Sequence, residues 1–269
     1  MQKIENELNN LLYESIEIQN LINEIYYIER SLILSEYNDI SNNTAILNEN
    51  LTDSILRVLQ KIKLLINKII IWFKDIFSKV ITKIKNDTPN YNLNSKKRVI
   101  SEIDIILSIN NLLRSYEDVS VDLSSINLLL SASINNTKLN NVNIPNMKKT
   151  INNKKKSIKD SCENIVVKRT NLTYIASDIN AIIKNKNILV NYLNKKCNKQ
   201  IQNQIIVMKE YYHTLTRMNN SGIDQGKLYI TINSLAEFIS ISISSYSQLL
   251  TAGISILSES TKVLEQFTE

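Results

Sequence analysis

The fold is decided by residues 57–85, which read RVLQKIKLLINKIIIWFKDIFSKVITKIK. Apolar residues recur there at alternating intervals of three and four, which places them along one side of an α-helix. This is the a/d pattern of helices that pack against other helices. It predicts a long second helix over residues 52–85, ended before Pro89, which cannot continue a helix. The stripe consists of Leu59, Ile62, Ile66, Ile69, Phe73, Ile76 and Val80.

Glycine and proline are scarce throughout the chain. The sequence has 3 Gly and 2 Pro in 269 residues, whereas average usage would give about 19 and about 13. Gly supplies the positive φ of tight turns and Pro interrupts helices, so a chain of long helices needs few of either. We therefore predict an all-α fold, an elongated bundle of about five to seven long helices.

The same periodicity predicts the other helices, over residues 2–36, 96–134, 157–218 and 227–266. A break in the helix over residues 157–218 is expected near 184–187 or 196–203. The Gly-containing residues 219–226 predict a loop. Residues 135–157 contain Pro145 and a run of lysines, and they are the best linker candidate. The chain is thus expected to comprise an N-terminal helical bundle, residues 1–134, and a C-terminal helical region, residues 158–269, which can pack as one domain.

One segment of the last helix has a competing pattern. Residues 239–244 alternate Ile and Ser, as a half-buried strand does, while the wider apolar spacing is that of a helix. We favour the helix, in which the serines and Gly253 would form a thin face that lets another helix approach closely.

Charge is segregated along the first 85 residues. Residues 1–56 carry two basic and ten acidic side chains, a net −8, and residues 57–85 carry eight basic and one acidic, a net +7. Complementary charges of this kind predict an antiparallel hairpin of the first two helices, joined through residues 37–51. The alternative is that the basic segment meets a polyanion.

Sequence motifs for catalysis are absent. The chain contains no P-loop, dinucleotide-binding, zinc-protease or nucleophile-elbow motif. His213 is the single histidine and is expected to be an incidental surface or packing residue. Cys162 and Cys197 are expected to be ordinary intracellular thiols. We therefore expect no enzymatic activity, no metal site and no cofactor.

Residues 57–85 are the one stretch that resembles a binding element. Their lysines and the sole tryptophan accompany a wide apolar face, as in helices that lie in membrane interfaces. The lysines and Asp75 exclude a membrane span. A helix in the core of a bundle, with a solvated lysine-rich face, explains the pattern equally. The candidate contacts with a polyanion or a membrane surface are Arg57, Lys61, Lys68, Trp72, Lys74, Lys79 and Lys83.

The basic helix, with residues 61–63 and the run 70–79, IIWFKDIFSK, follows an acidic N-terminal segment. This combination resembles the internal head proteins of large tailed phages over roughly residues 1–85. Abundant Ile, Asn, Lys and Tyr fit an A/T-rich genome. The resemblance implies a non-enzymatic virion protein, packaged with the genome and assembled through helix–helix contacts and a basic face. Its expected partners are other virion or assembly proteins, non-specifically bound DNA or a second copy of the chain.

Two alternatives stay open. One is a membrane-active helical protein, pore-forming or bilayer-binding, that uses the amphipathic helix 59–84 with Trp72 and Phe73 as interface anchors. The other is a helical adaptor whose a/d seam is an oligomer interface. Since no secretory signal or membrane span is visible, the expected location is the phage head or the host cytoplasm.

Overall fold

The computed structural model describes residues 44–75, 91–135, 144–220 and 225–268, together with positions 20, 23 and 78. Apart from positions 20 and 23, the predicted helix over residues 2–36 lies outside these residues, as do the hairpin that it would form and the predicted helix end near Pro89. So do Lys79 and Lys83.

The described residues form long helices and one small antiparallel sheet, which confirms the all-α prediction. A π-helical turn, Leu193–Cys197, joins two of the six described α-helices into one run, so five helical runs are described. The helical run continues through residues 184–187 and 196–203, so the break predicted at one of these places is wrong, and the helix instead changes to π-helical geometry at Leu193–Cys197. The elements are α1 Thr44–Asp75, β1 Val99–Ile103, α2 Ile105–Asn135, α3 Ile144–Cys162, β2 Lys168–Tyr174, α4 Ile179–Tyr192, α5 Asn198–Asn220 and α6 Gln225–Glu265.

Helix α1 begins at Thr44, earlier than predicted. Residues 44–50 belong to the polar stretch that was expected to connect two helices. They include Ala45, Leu47 and Glu49, which are good helix formers, and the intervening asparagines carry only a modest propensity cost. The predicted connection over residues 37–51 is therefore wrong from Thr44 onward.

The linker predicted over residues 135–157 is also wrong from Ile144 onward, because α3 occupies Ile144–Cys162. Pro145 lies in the first turn, where its missing N–H costs no helical hydrogen bond. Ile151 and Ile158, seven residues apart, are buried at 0% and 3% exposure. These two apolar contacts hold a helix whose lysine run occupies its other sides.

The strands β1 and β2 lie in segments that were predicted to be helical. They pair antiparallel, with Val99 opposite Tyr174 and Ser101 opposite Leu172, and an irregularity follows Ser101. The hydroxyl of Tyr174 accepts a hydrogen bond from the Ile105 amide, 2.9 Å, and donates to the Ile103 carbonyl, 3.3 Å. The sheet therefore fixes the start of α2, where Asp104 caps the helix by accepting from the Leu107 amide, 3.1 Å.

Helix α6 is continuous from Gln225 to Glu265 and confirms the helical prediction for residues 239–244. Another helix approaches closely at Gly253, where an added Cβ would lie 3.2 Å from Cδ2 of Leu112, whereas of the alternating serines only Ser242 is buried and Ser240 and Ser244 are half-buried. Ser245 and Ser260 are buried, and Ser260 donates to the carbonyl of Ile256, 2.7 Å. Small residues thus let neighbouring helices approach this part of α6.

The chain forms two compact units, each drawn from three stretches. The first comprises the described residues within 44–74, 123–155 and 202–244, and the second those within 91–122, 156–201 and 245–268, together with Asp75. A single division at residues 135–157 does not separate these units.

Candidate polyanion-binding face of α1

One side of α1 packs into the core of the first unit. The predicted a/d residues of the described part of this helix are all buried, as are neighbours that widen the stripe. Each such side chain contributes about 1.5–3 kcal/mol when it is fully buried. The buried residues are Ile55, Val58, Leu59, Ile62, Leu65, Ile66, Ile69, Trp72 and Phe73, none more than 3% exposed.

The structure removes Trp72 from the predicted contact surface. Its side chain is 3% exposed and that of Phe73 is 2% exposed. Their ring centroids lie 4.7 Å apart at a tilt of 51°, a favourable aromatic geometry. Trp72 lies eleven residues after the half-buried Lys61, at the border between a cation row and the apolar stripe, and its burial assigns it to the core.

The cations lie on the other sides of α1. Arg57, Lys68 and Lys74 are exposed and Lys61 is half-buried, so the structure places these four predicted residues at the surface. Lys63, which was not among the candidate contact residues, is exposed as well. Lys63 could have been predicted from the sequence, because it lies eleven residues, or about three helical turns, before Lys74 and so on the same side of the helix.

The cations form two rows along the outer face. At 3.6 residues per turn, Lys63 and Lys74 fall roughly 65° to one side of the middle of this face, and Arg57, Lys61 and Lys68 a similar angle to the other side. Between the rows lie Gln60, Leu64, Asn67 and Ile71. All four are exposed, with Leu64 at 57% and Ile71 at 60%. This central row does not stand out in the sequence, because the buried a/d stripe dominates the pattern.

The charges that residues 54–74 contribute to the outer face are all positive. Residues 54–74 contain five cationic side chains and no acidic one. At physiological ionic strength charges act over about 8 Å, so neighbouring cations along the helix reinforce one another at its surface. Such a face attracts phosphate or carboxylate groups even where no hydrogen bond of a specific geometry is formed.

A second cluster of chemically notable side chains lies in the second unit, around the π-helical turn. The ring of Tyr116 lies 5.6 Å from that of Tyr192 and 6.5 Å from that of Tyr246. The hydroxyl of Tyr116 is buried beside the thiol of Cys197, which is at best a weak acceptor. Lys196 lies over the Tyr192 ring at 5.1 Å and pairs with Glu117 at 2.8 Å.

Burial governs the protonation of this cluster. It raises the pKa of Cys197 to about 12, although the Tyr116 hydroxyl beside the thiol opposes this rise. Burial, and next the Glu117 carboxylate, raises the pKa of Tyr192 to about 12. Burial also holds the pKa of Tyr116 well above its usual value. Since the thiolate is the nucleophile and the metal ligand, burial of the Cys197 thiol disfavours both roles.

Other candidate chemistry is sparse among the described residues. His213 is exposed on α5, with its ring 5.5 Å from that of Tyr212, as expected of an incidental histidine. Cys162 and Cys197 are free thiols. Within the described ranges, no three His, Cys, Asp or Glu side chains gather in a way that could hold a metal ion. No helix in those ranges combines the length and apolar character needed to cross a bilayer.

Comparison of the chain with protein-family models, with curated proteins and with solved structures found no match.

Proposed function

We propose that this chain is a non-enzymatic structural protein that binds a polyanion through the outer face of α1. In the form that the phage resemblance favours, it is packaged in the head of a large phage, and the polyanion is DNA. The observation that carries the proposal is the exposure of Arg57, Lys63 and Lys74 on a helical stretch, residues 54–74, that contributes no acidic side chain. The opposite side of the same helix is anchored in the core, so the cations stand on a rigid support.

The proposed mechanism is electrostatic. Lysine and arginine side chains that contact phosphates release condensed counterions, and this release supplies most of the affinity of non-specific binding. Exposed single pairs contribute little to folding, about 0–1 kcal/mol each, so the cations are available for a partner at small cost to stability. Helix–helix contacts with other virion proteins, or with a second copy, would complete the assembly.

The two alternative functions have less support. Membrane insertion through Trp72 and Phe73 would require both rings to leave the core, which costs the free energy of their burial. A coiled-coil adaptor would need a free a/d seam, whereas the seam residues Leu59, Ile62 and Ile66 are buried. The outer face of α1 stays exposed in the folded chain, and therefore polyanion binding is the function that we propose.

The proposal is tested by the salt dependence of binding to duplex DNA. The triple variant Arg57→Gln, Lys63→Gln, Lys74→Gln removes three exposed cations and keeps helix propensity, since Gln is a comparable helix former. Each lost phosphate contact lowers the slope of log affinity against log salt by about 0.9. We therefore expect a slope smaller by about 2.7 than that of the wild type.

The matched control is Lys149→Gln, Lys184→Gln, Lys209→Gln, which removes three exposed lysines from other helices. It changes the net charge equally and should keep most of the slope. Equal slopes for the two triple variants would show that α1 is not the binding face. Failure of the wild type to bind DNA at low salt, with binding to anionic vesicles, would replace the proposal by the membrane alternative.

A further inference from the structure

The outer face of α1 has the layout of a helix that reads DNA. Its two rows of cations are separated by a central row, Gln60, Leu64, Asn67 and Ile71, whose side chains are all exposed. The central row thus presents two amide and two aliphatic side chains to solvent between the two rows of cations.

The dimensions of α1 fit the major groove of duplex DNA. An α-helix with its side chains is about 10–12 Å across, and the major groove is about 12 Å wide, while the minor groove is about 6 Å. A helix in the major groove has one phosphate backbone on each side. Lys63 and Lys74 on one flank, and Arg57 on the other, are placed to contact the two backbones. The face is complementary to both in charge, because residues 54–74 contain no acidic side chain.

The central row carries the chemistry that recognises A·T base pairs. Gln and Asn side chains form paired hydrogen bonds with N6 and N7 of adenine, and aliphatic groups contact the C5-methyl of thymine. From Gln60 to Ile71 the helix rises about 16 Å, the length of about five base-pair steps. Amide and aliphatic side chains alternate along this length. No central residue offers the Arg or Lys that pairs with guanine.

We propose that α1 enters the major groove of duplex DNA and prefers A·T-rich sequence, with Gln60 and Asn67 facing adenine and Leu64 and Ile71 facing thymine methyl groups. This inference rests on the proposed function, because the flanking cations must first bring the helix to the phosphates. It adds that the same face distinguishes base composition.

The test compares the binding of the full chain to an A·T duplex and a G·C duplex of equal length at fixed salt. We expect about tenfold tighter binding to the A·T duplex, which is the discrimination expected from one side chain that forms paired hydrogen bonds with adenine. The double variant Gln60→Ala, Asn67→Ala should reduce this ratio to within about twofold while leaving G·C binding unchanged. The control Gln202→Ala, Asn203→Ala, exposed amides on α5, should keep the full ratio.

The thymine contacts are tested by replacing thymine with uracil, which deletes the methyl group alone. Affinity of the wild type should fall about threefold, as expected for a lost methyl contact. The variant Leu64→Ala, Ile71→Ala should bind the thymine-containing and the uracil-containing duplex with equal affinity. Leu128→Ala with Ile206→Ala is the control, since these side chains are 72% and 53% exposed on other helices.

The outcomes separate the two proposals. Equal affinity for A·T and G·C duplexes, with the salt slope still reduced by the cation variant, would overturn base recognition and leave polyanion binding standing. An A·T preference that a minor-groove ligand abolishes would overturn the major-groove placement. Binding to acidic peptides, with no binding to DNA at low salt, would overturn base recognition and the identification of DNA as the polyanion, and binding to anionic vesicles alone would overturn both proposals.

Discussion

Gly253 shows how a single residue determines packing in the second unit. A Cβ at this position would lie 3.2 Å from Leu112 and 3.6 Å from Leu193, which belongs to the π-helical turn. The first distance is closer than ordinary van der Waals contact, so a side chain larger than glycine must displace the Leu112 methyl. The sequence already marked Gly253 as a point of close approach, but not the residues that approach it.

Replacing Gly253 with Val should lower the free energy of unfolding by about 1–3 kcal/mol, the usual cost of overpacking a filled core. The gain in helix propensity over glycine offsets only part of this. Urea denaturation measures the change. Ser255→Val, at an exposed position of the same helix, is the control. If the Gly253 variant were as stable as this control, the close packing at α6 would be wrong.

At the scale of elements, one hydroxyl links the small sheet to the start of α2. Tyr174 bonds both the amide of Ile105 and the carbonyl of Ile103, and Ile105 is fully buried. Without the hydroxyl, the buried Ile105 amide loses the hydrogen bond that it donates to Tyr174. The sheet and the helix cap are therefore expected to loosen together.

Tyr174→Phe should destabilise the fold by about 1–3 kcal/mol, because it leaves a buried amide without its hydrogen bond. Amide hydrogen exchange should become faster at Ile105 in particular. Tyr192→Phe is a matched control, since the Tyr192 hydroxyl is buried and has no hydrogen-bond partner among the described residues. Equal destabilisation by the two substitutions would contradict the role assigned to Tyr174.

The elements also show what the sequence could predict. Long apolar periods predicted α1, α2 and α6 because each period repeats over many turns and so outweighs local exceptions. The strands β1 and β2 were missed because stretches of five and seven residues are too short for alternation to stand out from a helical period. Residues 144–157 were taken for a linker because composition cannot show that Ile151 and Ile158 are buried.

The cationic outer face of α1 was predicted only in part. Clustered cations of one sign are visible in the sequence, and the described candidates Arg57, Lys68 and Lys74 are exposed. Trp72 was misplaced because its chemistry suits both a core and an interface, and only its burial in the folded chain decides between them. The central row was missed because exposed aliphatic residues resemble core residues until burial is known.

At the scale of the whole molecule, the chain folds into two units whose boundaries fall inside helices. Residue 122 lies within α2 and residue 244 within α6, and each is the last residue of its stretch in one unit. Cutting the chain at residues 135–157 would divide both units, so binding must be measured on the full chain. The proposed DNA contacts, residues 57–74, all belong to the first unit.

The most direct test of the polyanion-binding face is a lysine footprint of the full chain. Acetylation rates of individual lysines are measured by mass spectrometry with and without saturating duplex DNA. The account predicts that Lys63 and Lys74 become several-fold slower to react, as expected when phosphates cover them, while exposed Lys149 and Lys209 on α3 and α5 react as before. Unchanged rates at Lys63 and Lys74, with protection at Lys149 or Lys209, would contradict it.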